Sequence, residues 1–287
     1  MTRPGAPLLE ESALLGQQLS DALCRTPVGD DHCGALHGLW GDLRLVGFAA
    51  EPDRHADFYA EALGACAATG ASNRVLVSGC ADWGMLATVG AAWRRSGEAL
   101  DVTVVDRCPA PVLLCAWYGA QIGLPVRTAV ADIAQYREER PFDLICTHSL
   151  LTYPPLEARR RLVANWRRLL RPGGAVVTVT RLSTERAARD DDKEHARRFA
   201  EALAQRCADA GLERDPIDLR TRAERYVRAQ ASHPVGDESD LRALFEQQGF
   251  ALTRLDTREL AGVLPGRERV GGAARSGRYG EIVAVRP

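Results

Sequence analysis

The chain has 287 residues, 46% hydrophobic and 26% charged, with a formal net charge of −1 at pH 7. That balance suits an ordinary globular protein and excludes global disorder, collagen and a coiled coil. So small a net charge advertises no nucleic-acid or anionic-membrane partner, and apolar runs such as Ala175–Thr180 fall far short of the roughly 20 residues a membrane span needs.

In chain order, Leu8–Leu23 carries apolar residues at close to helical spacing and predicts a helix. Leu36–Phe48 mixes Trp40, Leu43, Leu45 and Phe48 with Gly38, Gly41 and Gly47 and receives no assignment. Glu51–Ala68 predicts a second helix, stopped near Gly70. From residue 73 the texture becomes strand–helix alternation. Arg74–Ser78, Val102–Val105, Pro125–Val130, Phe142–Thr147 and Ala175–Thr180 read as strands. Gly84–Arg95, Pro109–Ile122 and Leu156–Leu170 read as the helices between them. Repeated βα units imply a parallel sheet with helices on both faces. Glu185–Glu213 is helical in character, 214–236 an irregular or partly helical insertion, Glu238–Gly249 a helix, and Phe250–Leu255 and Glu281–Arg286 the last strands. Gly262–Tyr279, rich in Gly and Arg, reads as a connecting loop.

Ligands of open α/β sheets bind beyond the carboxyl ends of the strands. The first strand is followed by Ser78-Gly79-Cys80-Ala81-Asp82-Trp83-Gly84, where small residues let backbone approach a ligand and the next helix offers free N–H groups. The second ends at Asp106, a carboxylate placed to accept both hydroxyls of a ribose. Beyond the third lie Ala131 and Asp132, within reach of an adenine edge. Beyond the fourth lie Thr147-His148-Ser149, then Tyr153-Pro154-Pro155.

The order of Val75-Leu-Val-Ser-Gly-Cys-Ala-Asp-Trp-Gly84, Val-Val-Asp106, Ala-Asp132, Phe-Asp-Leu-Ile-Cys146 and Leu169-Leu-Arg-Pro-Gly-Gly174 resembles the class I S-adenosylmethionine-dependent methyltransferases, over roughly residues 73–181. The resemblance implies a doubly wound α/β fold, with a mostly parallel seven-stranded sheet whose last strand is antiparallel. It further implies an N-terminal helical cap over residues 1–70 and a cofactor domain over 71–287, with an insertion at about 182–236. S-adenosylmethionine is the implied cofactor. Gly79, Ala81 and Asp82 would line its methionine end, Asp106 would bind its ribose, and Asp132 with Ile133 would flank its adenine. His148 would lie near the methyl group, with Ser78, Cys80, Arg107 and Thr147 as further cofactor-binding residues. The family's usual acid two positions before the first glycine is Val77 here, with Asp82 a candidate replacement, while Trp83 is bulky enough to narrow the pocket.

Methyl transfer from a sulfonium asks the protein mainly for proximity. Where the acceptor must lose a proton, His148 is the candidate base, with hydrogen bonding under the cofactor as the other reading. Tyr153 is the candidate to position an acceptor, and Trp40, Arg54, His55, Phe58 and Tyr59 are the acceptor-facing candidates on the cap. The expected function is methylation of a small molecule, a biosynthetic intermediate, in the cytoplasm. The alternatives are a catalytically degenerate binding or partner protein, and a protein or RNA methyltransferase. A nicotinamide oxidoreductase would need G-x-G-x-x-G, which Gly79–Gly84 does not supply.

The remaining composition subtracts functions. Lys193 is the only lysine, so 36 of the 37 basic residues are arginine and no P-loop lysine exists. The arginines from Arg159 to Arg171 read as mostly ringing the solvent side of a helix whose Leu162, Val163, Trp166, Leu169 and Leu170 face the core. The eight cysteines form no CxxC pair and read as reduced, buried thiols. Asp31, His32, Cys33 and His37 alone resemble metal ligands, and without a second cysteine pair no metal site is expected.

Overall fold

A run as apolar as Val75–Val77 suits a strand buried on both faces, which a parallel sheet provides. The computed structural model, which describes residues 6–28, 31–49, 51–68, 73–183, 193–229, 233–260 and 277–287, places these three in the core with no exposed surface. Its elements run α1 Ala6–Leu23, β1 Pro27–Val28, β2 Asp31–His32, α2 Gly34–Leu45, α3 Ala56–Ala68, β3 Arg74–Ser78 and α4 Gly84–Ser96. They continue with β4 Asp101–Asp106, α5 Pro109–Ile122, β5 Val126–Val130, β6 Phe142–His148, α6 Leu156–Leu169 and β7 Leu170–Arg181. The last are α7 Lys193–Asp209, α8 Pro216–Ala229, α9 Glu238–Glu246, β8 Ala251–Leu260 and β9 Gly277–Val285.

The large sheet has seven strands in the order β5-β4-β3-β6-β7-β9-β8. Its pairs from β5 to β7 are parallel, and β9 runs antiparallel to β7. The expected doubly wound sheet is therefore present, with the order reversing around β3. Trp166, Phe142, Phe245 and Ile282 anchor one core beside it, all with no exposed surface. The Trp166 indole N–H donates to Ser78 Oγ at 2.9 Å, worth about 1 kcal/mol net.

Two compact units divide the chain. One comprises 1–50, 187–231 and 260–277, the other 51–186, 232–259 and 278–287. The sheet unit includes α3, which packs on α4 and β7, whereas the sequence reading groups it with the first helices.

The other unit is built from α1, α2, α7 and α8 around Leu39, Leu43, Phe199, Leu203 and Ala223. Here the unassigned stretch Leu36–Phe48 proves to be mostly helix. Gly38 and Gly41 are contact points rather than breakers, and a Cβ on Gly41 would lie 2.6 Å from the Ala13 Cα of α1, whereas Gly47 follows the helix end at φ +78°. Residues 216–229 of the expected irregular insertion form α8, whose first turn is held by Asp215 accepting from the Ile217 and Asp218 amides. Buried Asp42 pairs with Arg214 at 2.9 Å; burial raises the Asp42 pKa, and the guanidinium opposes that shift. Residues 185–192 of the expected helical stretch and 262–276 of the expected loop lie outside the described residues, while 277–279 belong to β9.

Candidate active site at the carboxyl ends of the sheet

At the end of β3 the chain turns through Gly79, at φ +71°. A Cβ there would meet Leu150 Cδ1 and Cδ2 at 2.9 Å, so both backbone and space require glycine. The Gly79 amide donates to Val105 O at 2.8 Å, tying the turn to β4. Asp106 closes β4, and its carboxylate accepts from the Cys80 amide at 3.0 Å and the Cys108 amide at 2.7 Å. Two amides do not exhaust a carboxylate, which offers about four acceptor positions.

Asp82 is buried and accepts from the Gly84 amide at 2.8 Å, placing a carboxylate where the α4 dipole favours negative charge. Trp83 stacks flat on Tyr118 of α5, with ring centroids 4.4 Å apart and planes 2° from parallel. The hydrogen bond with Cys115, then burial, holds the Cys80 thiol well above its ordinary pKa, so it stays a neutral thiol. Beyond β5, exposed Asp132 accepts from the Ala134 amide at 2.9 Å, while Ile133 is buried in the sheet core.

The end of β6 is constructed differently. His148 and Glu281 both register with Val179 of β7, so their side chains share one face of the sheet. Ser149 follows at φ +56°, the one non-glycine residue with positive φ among the described residues. The Tyr59 hydroxyl lies 3.0 Å from both Thr147 O and His148 Nδ1. It has a single proton. Donating that proton to Thr147 O leaves the hydroxyl oxygen to accept from His148 Nδ1–H, the tautomer that carries its lone pair on Nε2. Burial lifts the Tyr59 pKa well above 10.0 and keeps the phenol protonated.

His55 joins this group from the 3₁₀ turn Pro52–His55. Its Nδ1 is 2.7 Å from Glu281 Oε1, and its buried Nε2 has no hydrogen-bond partner. Burial lowers its pKa below 6.5, against the opposing pull of Glu281. The His55 ring centroid is 5.7 Å from that of His148 and 5.3 Å from that of Tyr279. Arg258 lies 3.8 Å from Glu281, adding a positive charge at the rim.

The structure thus brings together His55, Tyr59, Thr147 and His148 of the expected site residues, and separately Gly79, Cys80, Asp82 and Asp106. Ala81 is half-buried in the loop between Cys80 and Asp82, and Arg107 is exposed. Ser78 turns its hydroxyl to Trp166 rather than outward. Phe58 is buried under the Arg254 guanidinium, 5.1 Å from the ring centroid, and packs as core. Arg54 is half-buried, and Tyr153 is 44% exposed. Trp40 lies on α2 and packs against the core of the helical unit.

Arg159 corrects the expectation that its run faces solvent. It is 2% exposed and donates to Leu151 O at 2.7 Å, Pro154 O at 3.2 Å and Pro234 O at 3.0 Å, fixing the loop beyond β6. The unforeseen member of the site is Glu281. Its signal was present: one carboxylate in the otherwise apolar Ile282–Val285 strand context, in step with Val283.

Residues 75–174 match the family model described as "Methyltransferase domain". A putative methyltransferase from Bacillus halodurans C-125 is similar in structure at TM-score 0.50 and 13% identity, over 79% of this chain and 99% of that one. Magnesium protoporphyrin IX methyltransferase from Synechocystis PCC 6803, solved with bound S-adenosylhomocysteine, gives TM-score 0.47 and 14% identity, over 81% of this chain and 83% of that one. The same enzyme solved with S-adenosylmethionine gives TM-score 0.48 and 12% identity, over 100% and 99%. No curated protein is matched by this sequence. No helix among the described residues is long and apolar enough to cross a membrane. Residues 75–174 thus match a methyltransferase domain, set in a seven-stranded, mostly parallel Rossmann-like sheet with β9 antiparallel to β7.

Proposed function

We propose that the chain methylates a small-molecule acceptor in the cytoplasm and that His148 takes up the acceptor's proton. The observation that carries this reading is His148 at the tip of β6, with Nδ1 held 3.0 Å from the Tyr59 hydroxyl. The neighbouring strand ends support the cofactor: the left-handed Gly79 turn sets backbone at the sheet edge, and the Asp106 carboxylate has acceptor capacity beyond its two amides for a ribose diol. Asp132 and the backbone at Ile133 would flank the adenine. Bound there, S-adenosylmethionine supplies a methyl group already activated by the sulfonium, so the protein has to bind, orient and manage a proton.

His148 Nε2 accepts the proton of an attacking O–H or N–H, and Tyr59 positions the ring by its hydrogen bond. The Glu281 carboxylate, held through His55, favours the resulting imidazolium. Arg54 and Tyr153 are the acceptor contacts we assign. A net charge of −1 provides no footprint for nucleic acid, and His55 and Tyr59 are at most 1% exposed, which suits a small acceptor better than a broad macromolecular face.

A second reading, a partner protein without turnover, draws on Val77 in place of the usual acid and on Asp82 already engaged with α4. Calorimetric titration with S-adenosylmethionine and S-adenosylhomocysteine, after removal of copurified ligand, separates the two. Micromolar binding is expected, weakened about 10–100-fold in Asp106→Ala, the worth of charged hydrogen bonds. Unchanged affinity in that variant overturns the site assignment, and no binding to the folded wild type favours the partner protein. Labelled methyl recovered only in protein or RNA fractions would overturn the small-molecule acceptor.

A further inference from the structure

We propose that the helical unit holds a structural zinc ion on Cys24, Cys33 and His37. The two sulfurs and a ring nitrogen of His37 lie within 4.8 Å of one another. Exposure is 0% for Cys24 and 7% for each of the other two. Cys24 Sγ is 3.4 Å from His37 Nδ1. Tetrahedral zinc, with Zn–S about 2.3 Å and Zn–N about 2.0–2.1 Å, separates an S and an N donor by about 3.6 Å and two sulfurs by about 3.8 Å. The Cys24–His37 pair already stands at nearly that spacing, and Cys33 Sγ lies within 4.8 Å of both.

Backbone geometry presents them together. Cys24 immediately follows α1, Cys33 precedes α2, and His37 lies in the first turn of α2. Between the cysteines the β1–β2 pairing Pro27↔His32 folds the chain back, and the Cys33 amide donates to Thr26 O at 2.9 Å. The His37 amide donates to Cys33 O at 3.0 Å, fixing the C-x3-H step. Of the ligands suggested by sequence, His32 is turned to backbone instead, its Nδ1 accepting from the Gly34 amide at 3.0 Å. Cys24, distant in sequence from that cluster, takes its place.

Two thiolates and an imidazole select zinc over magnesium or calcium, which prefer oxygen. A tetrahedral ion takes one donor beyond these three. The ion would clamp the end of α1 to the start of α2, and its binding energy would stabilise the helical unit directly.

The test uses the full chain, purified reduced, stripped with a chelator and titrated with zinc. About one zinc per chain and a rise in Tm are expected, and cobalt in place of zinc should show the tetrahedral ligand-field bands and thiolate charge transfer. Cys24→Ser and His37→Gln should each weaken zinc at least about tenfold, whereas Cys207→Ser, a buried thiol elsewhere in the unit, should leave it unchanged. Should the variants fail to fold, X-ray absorption on wild type must show sulfur and nitrogen around the metal. Substoichiometric zinc with no cobalt spectrum, or a Cys24–Cys33 disulfide in the non-reduced protein, overturns the site.

Discussion

β3 and β6 lie side by side and end on the same edge of the sheet, yet their ends are finished in opposite ways. After β3 the polar groups are engaged by backbone: Gly79 with Val105, Asp106 with two amides, Asp82 with the first amide of α4. After β6 the chain carries a strained Ser149 and a buried imidazole nitrogen of His55 without a partner. The first, on the proposed reading, is a cofactor cradle whose carboxylates are held by backbone amides. The second holds two imidazoles with ring centroids 5.7 Å apart, the groups on which the proposed proton transfer rests.

The contrast breaks most sharply at His148. His148→Ala should lower kcat by about 10²–10⁴, the usual worth of a general base, while S-adenosylmethionine affinity stays within about threefold. A parallel loss of affinity would make the two strand ends a single cofactor site and remove the distinction.

Gly79→Ala should act first on the cradle and, through Leu150, press on the turn beyond β6. The left-handed backbone costs about 1–2 kcal/mol, and overpacking against Leu150 about 1–3 kcal/mol more. Cofactor titration and thermal denaturation should both show the loss. Normal affinity and Tm would mean that the turn rearranges freely.

A smaller effect is expected from Glu281→Gln, which keeps the shape and removes the charge. The kcat should fall about tenfold, the worth of a charge-assisted hydrogen bond, and the acid limb of its pH profile should move. A uniform loss with no change in profile would indicate packing alone.

The smallest effect is a pH dependence of stability. Because the folded His55 has a pKa below 6.5, the unfolded chain binds more protons as pH falls through 6.5, and stability declines from there toward the folded pKa. His55→Gln should flatten that decline when denaturant midpoints at pH about 7.5 and about 5.5 are compared.

Local sequence was most informative where local rules suffice. Helix α5 runs from Pro109 to Ile122 as read, because proline suits a first helical turn and Gly123 ends it at φ +67°. The turn at Gly79 and the carboxylate at Asp106 were legible because both follow directly from strand ends. Helix α2 was not, since Gly38 and Gly41 look like breakers until α1 is known to press against them. Arg159 looked like its solvated neighbours because its partners Leu151, Pro154 and Pro234 are carbonyls, which carry no side-chain signature.

By itself the sequence determined the alternation of strands and helices, the parallel sheet and the residues at its carboxyl edge, because hydrophobic period and turn residues act over a few positions. Only the tertiary structure decided which of those residues meet. Glu281 reaches His55 across 226 positions of chain, and Cys24 meets His37 only because a two-strand hairpin folds back between them. Such meetings depend on register and helix packing, which no short window of sequence contains.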